Sequence, residues 1–185
     1  MQYIKGHYGI VAGIICVLLV VLGYIIFTKL DNQRAAEQAA NQAFQALGGT
    51  KQDTAPYTDI AGNPVALNDY LGSVIVVNSW ASWSPDSRTE LPLLAEIANE
   101  FEDVHIVAIN RAEPATTAER FLKTIGTYDQ VQLVLDPTDR YYAVINGYAM
   151  PETVVYNADG DITFRKHGPV TKAELEDALY KVIDK

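Results

Sequence analysis

Residues 74–92 read Val74-Ile75-Val76-Val77-Asn78-Ser79-Trp80-Ala81-Ser82-Trp83-Ser84-Pro85-Asp86-Ser87-Arg88-Thr89-Glu90-Leu91-Pro92. The apolar opening reads as a buried strand, of the kind that lies in the middle of a parallel or mixed sheet. After two tryptophans the chain turns to helix-start signals. Ser84 is expected as the N-cap, Pro85 as the first helical residue and Asp86 as an acid matched to the helix dipole. Ser87 and Glu90, three apart, offer a second capping box.

Outward from this stretch the pattern alternates. Leu91, Leu94, Ile97, Ala98 and Phe101 recur three and four apart, the spacing of a helix with one face on a core. A strand is expected at 105–110, a helix near 117–125, a strand at 131–135 and a short helical segment near 139–145. Residues 152–157 and 161–167 read as an antiparallel pair about the turn Ala158-Asp159-Gly160. Residues 171–184 close as a helix, with Thr171 and Glu174 as its capping box and Leu175, Ala178, Leu179, Val182 and Ile183 facing inward. Upstream, residues 57–67 suggest a hairpin-like entry. Strands alternating with helices and ending in a hairpin plus helix define an α/β sandwich around a mixed sheet.

The amino terminus is a different kind of sequence. Residues 9–28 contain no charge and run from Gly9 through Ile26-Phe27-Thr28, about the length that spans a bilayer core. A cleaved signal peptide is shorter and ends in a small-residue site, which this run lacks. The organisation expected is a short tail at 1–8, a transmembrane anchor at 9–28, a stalk and linker at 29–56, and a globular domain at 57–185. Lys5 flanks one end of the span and Lys29 and Arg34 the other, so basic residues leave the orientation open.

Composition narrows the function. The chain has 185 residues and a formal net charge of −9. The two basic residues before position 31, Lys5 and Lys29, flank the anchor, so the remainder is more acidic still, and nucleic acid is excluded as a partner. Cys16, within the apolar run, is the single cysteine. One chain therefore forms no internal disulfide and no cysteine-based metal site, and no metal or other cofactor is expected.

The order from Asn78 to Pro92 resembles the active-site segment of the TlpA-type (ResA-like) proteins, membrane-anchored thioredoxin-like thiol-disulfide oxidoreductases. In these a tryptophan precedes Cys-x-x-Cys and a Glu-x-Pro follows. Gly147-Tyr148-Ala149-Met150-Pro151 is similar to the family's loop before its cis-proline, and residues 153–160 to the strand and turn after it. The resemblance runs from about Tyr57 to the carboxyl terminus, implies a thioredoxin-like fold, and places the globular domain outside the cytoplasm.

By position, Ser84 stands where the family has its nucleophilic cysteine and Ser87 where it has the resolving one. A serine hydroxyl does not cycle through a disulfide. Many relatives carry proline just before the second cysteine, whereas here Asp86 holds that place and Pro85 precedes it. The neighbourhood has changed with the thiols, as in a natural loss rather than an engineered pair of substitutions. Glu90 matches the buried glutamate that helps manage protons at the cysteines. Ser84 as a hydrolytic nucleophile would need a base, and no motif ties a histidine to it.

No catalytic residue is expected at Ser84 or Ser87. The resemblance implies instead a peptide-binding groove formed by Trp83, Met150 and Pro151, in which backbone groups beside a cis-proline pair with an extended segment. The partners expected are an extended peptide or protein at that groove and the lipid bilayer at the anchor. The alternative is the family's thiol-disulfide or antioxidant activity, run with thiols from a partner.

Overall fold

The computed structural model describes residues 21–32, 34, 57–126 and 130–183. Two compact units divide the chain, residues 1–38 and residues 39–185. In the first, residues 21–32 are helical, with Val21, Leu22, Tyr24, Ile25, Ile26 and Phe27 all exposed. Among the described residues no helix is long and apolar enough to cross a membrane. Much of the expected anchor, residues 9–20, lies outside the described residues, as does most of the expected stalk and linker.

In the second unit a seven-stranded mixed sheet has the order β2-β1-β5-β4-β3-β6-β7. The strands are β1 (Tyr57–Asp59), β2 (Pro64–Val65), β3 (Val74–Trp80), β4 (Val104–Arg111), β5 (Gln132–Asp136), β6 (Glu152–Tyr156) and β7 (Ile162–His167). The helices are α1 (Ser87–Glu100), α2 (Ala115–Ile125), α3 (Arg140–Val144) and α4 (Lys172–Ile183), with a 3₁₀ turn at Leu67–Tyr70. β3, β4 and β5 run parallel, whereas β6 pairs antiparallel with β3, and β7 with β6.

Strand alternation distributes the core. Val76 and Trp80 of β3, Ile106 and Ala108 of β4 and Val155 of β6 face a cluster with α1, α2 and α4. Ile75, Val77, Val107, Ile109, Val154 and Tyr156 point the other way, against Leu67 and Tyr141. Both faces are covered, which explains why the middle strands carry few polar residues. The expected sandwich and the order of its elements are borne out.

Two consequences position the site. β3 delivers the segment after Trp80 at the same end of the sheet where antiparallel β6 begins, with Ser79 opposite Glu152. The 81–86 turn and the Met150–Pro151 loop are thereby neighbours. The same register sets Asn78 of β3 opposite Thr153 of β6.

Candidate functional site

The turn after β3 does not start its helix as expected. α1 begins at Ser87, and its N-cap is Asp86, whose backbone is already helical (φ −69°, ψ −28°) and whose side chain caps nothing. The Asp86 carbonyl accepts from the N–H groups of Thr89 and Glu90 at 3.1 and 3.0 Å, and the Pro85 carbonyl from Arg88 at 3.2 Å. Ser84 is therefore not the N-cap, nor Pro85 the first helical residue. The Ser84 hydroxyl donates across the cleft to the Met150 carbonyl at 3.3 Å, while the Ser87 hydroxyl accepts the Ala81 N–H at 3.4 Å. Both hydroxyls tie the turn to other backbone instead of closing the helix end.

Ser84 and Ser87 are buried, whereas Trp83 between them and the strand is 62% exposed. Pro85 and Asp86 are exposed. Across from them the Met150–Pro151 peptide bond is cis, as the resemblance implied, with Pro151 buried and Met150 half-buried. The expected groove residues Trp83, Met150 and Pro151 flank Ser84. Trp80 takes no part in this surface, being fully buried and stacked on Phe121 at 5.5 Å between ring centroids.

Glu90 turns inward from the first turn of α1. Its Oε1 accepts from Asn78 Nδ2 at 3.0 Å and from the Thr153 hydroxyl at 2.7 Å, and Asn78 also donates to Thr153 at 2.9 Å. Ser87 and Glu90 thus form no capping box. Burial raises the Glu90 carboxyl from 4.5 to about 7, with the Thr153 hydrogen bond opposing that rise. The result is a carboxyl that exchanges its proton near neutrality, directly below the turn.

Two further braces were not foreseen. Glu113, beyond β4, accepts the Ser82 N–H at 2.8 Å, the Ser82 hydroxyl at 2.5 Å and Asn110 Nδ2 at 2.7 Å, and so clasps the turn from the α2 side. On the other side the Tyr142 hydroxyl donates to the Ala149 carbonyl at 2.9 Å, just before the cis bond. The Arg111 guanidinium lies 3.4 Å over the Tyr142 ring and is bound bidentately by Asp139 at 2.7 and 2.6 Å. A Cβ at Gly147 would come within 2.3 Å of Tyr142, so this ring requires glycine there.

After the cis-proline, Glu152 is fully buried and held by Arg165 Nε at 2.7 Å, with His167 Nδ1 at 3.2 Å. Tyr148 stacks on His167 at 4.0 Å. His105 sits at the opposite end of β4, against Tyr70. The Ser84 hydroxyl meets only a carbonyl, which takes up no proton, so this geometry assembles no hydrolytic pair. Among the described residues no cluster of three or more histidine, cysteine or carboxylate side chains has the arrangement of a metal site.

A mixed sheet with helices on both faces, a turn-and-helix site after its third strand and a cis-proline opposite define a thioredoxin-like domain, with the hydroxyls of Ser84 and Ser87 where the resemblance implies thiols. Residues 39–165 match the AhpC/TSA family, and the chain belongs to that family. Over 171 residues it is 28% identical to the thiol-disulfide oxidoreductase ResA of Geobacillus kaustophilus, covering 91% of this chain and 92% of that protein. The fold is similar to a putative thiol:disulfide interchange protein DsbE from Chlorobium tepidum (TM-score 0.63, 22% identity, 70% of this chain and 95% of that one). It is also similar to the pneumococcal exposed lipoprotein thioredoxin of Streptococcus pneumoniae (TM-score 0.59, 20% identity, 67% and 96%).

Proposed function

We propose that this protein is a membrane-anchored, extracytoplasmic member of its family that runs no thiol chemistry of its own and holds an extended segment of a partner protein. The partner lies in the groove between Trp83, Ser84 and the Met150–Pro151 loop. One observation carries the reading: the two hydroxyls in place of the thiols are each engaged in fixing backbone, while the aromatic wall and the cis-proline loop beside them are kept. The uncharged run at 9–28, of spanning length, and the exposed apolar side chains of residues 21–27 support the anchor. A solved neighbour described as an exposed lipoprotein supports the location.

The test is disulfide reduction by the full chain in detergent micelles, beside a Ser84→Cys, Ser87→Cys variant. Activity in the variant alone is the expected result. Turnover by the natural sequence overturns the reading.

One observation favours a second reading, in which the site serves a partner's thiols. Glu90 keeps a proton that exchanges near neutrality, at the position where the resemblance implies a glutamate serving the cysteines. In that case a dithiol partner bound at Ser84 reduces an added disulfide, becoming a disulfide itself, faster than the free partner does, and Glu90→Gln removes the acceleration.

A further inference from the structure

The described part of the globular domain carries nine basic side chains, and they divide unevenly. Arg111, Arg165, Lys166, Lys172 and Lys181 lie in ion pairs. Arg88, Arg120, Lys123 and Arg140 lie in none among the described residues. Three of these four sit on α1 and α2, next to the turn. In a chain with 23 acidic residues against 14 basic ones, unpaired cations gathered in one place are the exception.

Two of them flank a cleft. Ser82, Arg88, Thr117, Arg120, Phe121 and Thr124 line a space of about 240 Å³, several times what one water occupies. Its floor is Phe121, itself stacked on buried Trp80. Arg88 is held above that floor, its guanidinium 5.1 Å from the Phe121 ring centre and its Nη1 donating to the Thr124 hydroxyl at 3.3 Å. Arg88 Nε and Nη2 have no partner among the described residues. The Ser82 wall is fixed by Glu113, which pairs with neither arginine, and Asp86 and Glu119, their neighbours in sequence, make no ion pair with them either. The cleft therefore presents one positioned guanidinium, Arg88, and a second on its rim, Arg120, neither in an ion pair among the described residues, over an aromatic floor, an arrangement suited to a carboxylate.

Ser82 joins this cleft to exposed Trp83, the wall of the groove. We infer that the cleft between Arg88 and Arg120 is a subsite for an acidic side chain of the extended segment held in the groove. This inference rests on the binding reading above and names the partner's chemistry. A segment with an acid next to its groove-binding residues is selected, and the net negative charge of the chain disfavours acidic segments away from such cationic sites.

The experiment titrates the ¹⁵N-labelled full chain, in neutral detergent micelles, with a blocked pentapeptide of alternating valine and glutamate. The same peptide with glutamine for glutamate is the reference. The glutamate peptide is expected to shift the Arg88 and Arg120 side-chain signals saturably and to bind about tenfold tighter than the glutamine peptide. Raising salt from about 0.05 to about 0.5 M shrinks that difference. Arg120→Gln, which removes no hydrogen bond or ion pair among the described residues, and Arg88→Gln with Arg120→Gln should both reduce it, leaving the glutamine peptide's affinity unchanged.

Equal affinity of the two peptides, or no saturable shift at the arginines, overturns the inference. Shifts at Trp83 and Met150 from both peptides, with none at the arginines, leave the groove reading standing and the cleft refuted. Shifts confined to the arginines support a carboxylate site and refute the groove.

Discussion

Two helices in this domain begin with the same signature, and only one uses it. Thr171, just before α4, and Glu174 in its first turn match Ser87 and Glu90 of α1, each a hydroxyl followed three residues later by glutamate. At α4 the box closes: Glu174 accepts the Thr171 N–H at 2.9 Å and Thr171 accepts the Glu174 N–H at 3.3 Å. At α1 the hydroxyl turns back to Ala81 and the glutamate turns into the core, to Asn78 and Thr153. Lys166 and Thr171 lower the exposed Glu174 carboxyl to about 2, and burial raises Glu90 to about 7. Surroundings, and not spacing, decide which glutamate caps a helix and which stores a proton.

The widest test of that contrast is pH. The folded protein keeps the Glu90 proton up to about pH 7, whereas the unfolded chain releases it near 4.5. The Glu90 contribution to stability is therefore greatest below 4.5, falls as pH rises through about 7, and levels off above. The full excursion is about 3 kcal/mol, read from denaturant unfolding followed by tryptophan fluorescence. Glu90→Gln should abolish this slope and be the more stable protein at pH 8. A wild-type profile that is flat from 4.5 to 7 breaks the comparison. Glu174, with its lowered value, works in the opposite sense and supports the fold above 4.5, losing that support as pH falls towards 2.

Next in size is Thr153→Val, which removes one of the two donors to buried Glu90 and should cost about 1–3 kcal/mol. It should also move the midpoint of the Glu90 profile upward, since the Thr153 hydrogen bond holds that value down. An unchanged midpoint would show that the hydroxyl does not sense the carboxyl. Thr171→Ala removes a working cap and should cost about 1 kcal/mol. Ser84→Ala is the smallest, below about 0.5 kcal/mol, because Ser84 closes no helix and only a long hydrogen bond is lost. Were Ser84→Ala to cost as much as Thr171→Ala, the reading of Ser84 as a cap would return.

Local signals carried the fold well. Periodicity marked each strand and helix of the domain to within a few residues, Thr171-x-x-Glu174 marked a true cap, and Gly147 to Pro151 marked a loop that does contain a cis bond. The candidate site was legible in its residues but not in their partners. Asn78 and Thr153, 75 positions apart, meet only because β3 and β6 pair in one register. Asn78, a polar residue within an apolar strand, was the available hint. Glu113 gave no local sign, since its partner Ser82 lies 31 positions upstream. Ser84 misled because its neighbours fit a helix start, whereas α1 begins only at Ser87 and the Ser84 hydroxyl turns to Met150 across the cleft.

The brace of Arg111, Asp139 and Tyr142 reaches the cis-proline loop through α3 and the end of β4, and makes no use of positions 84 and 87. The bracing of the Met150–Pro151 loop from this side is thereby independent of the residues in the 81–86 turn. On the proposed function, a chain with this brace can carry hydroxyls at 84 and 87 while the loop opposite keeps its form.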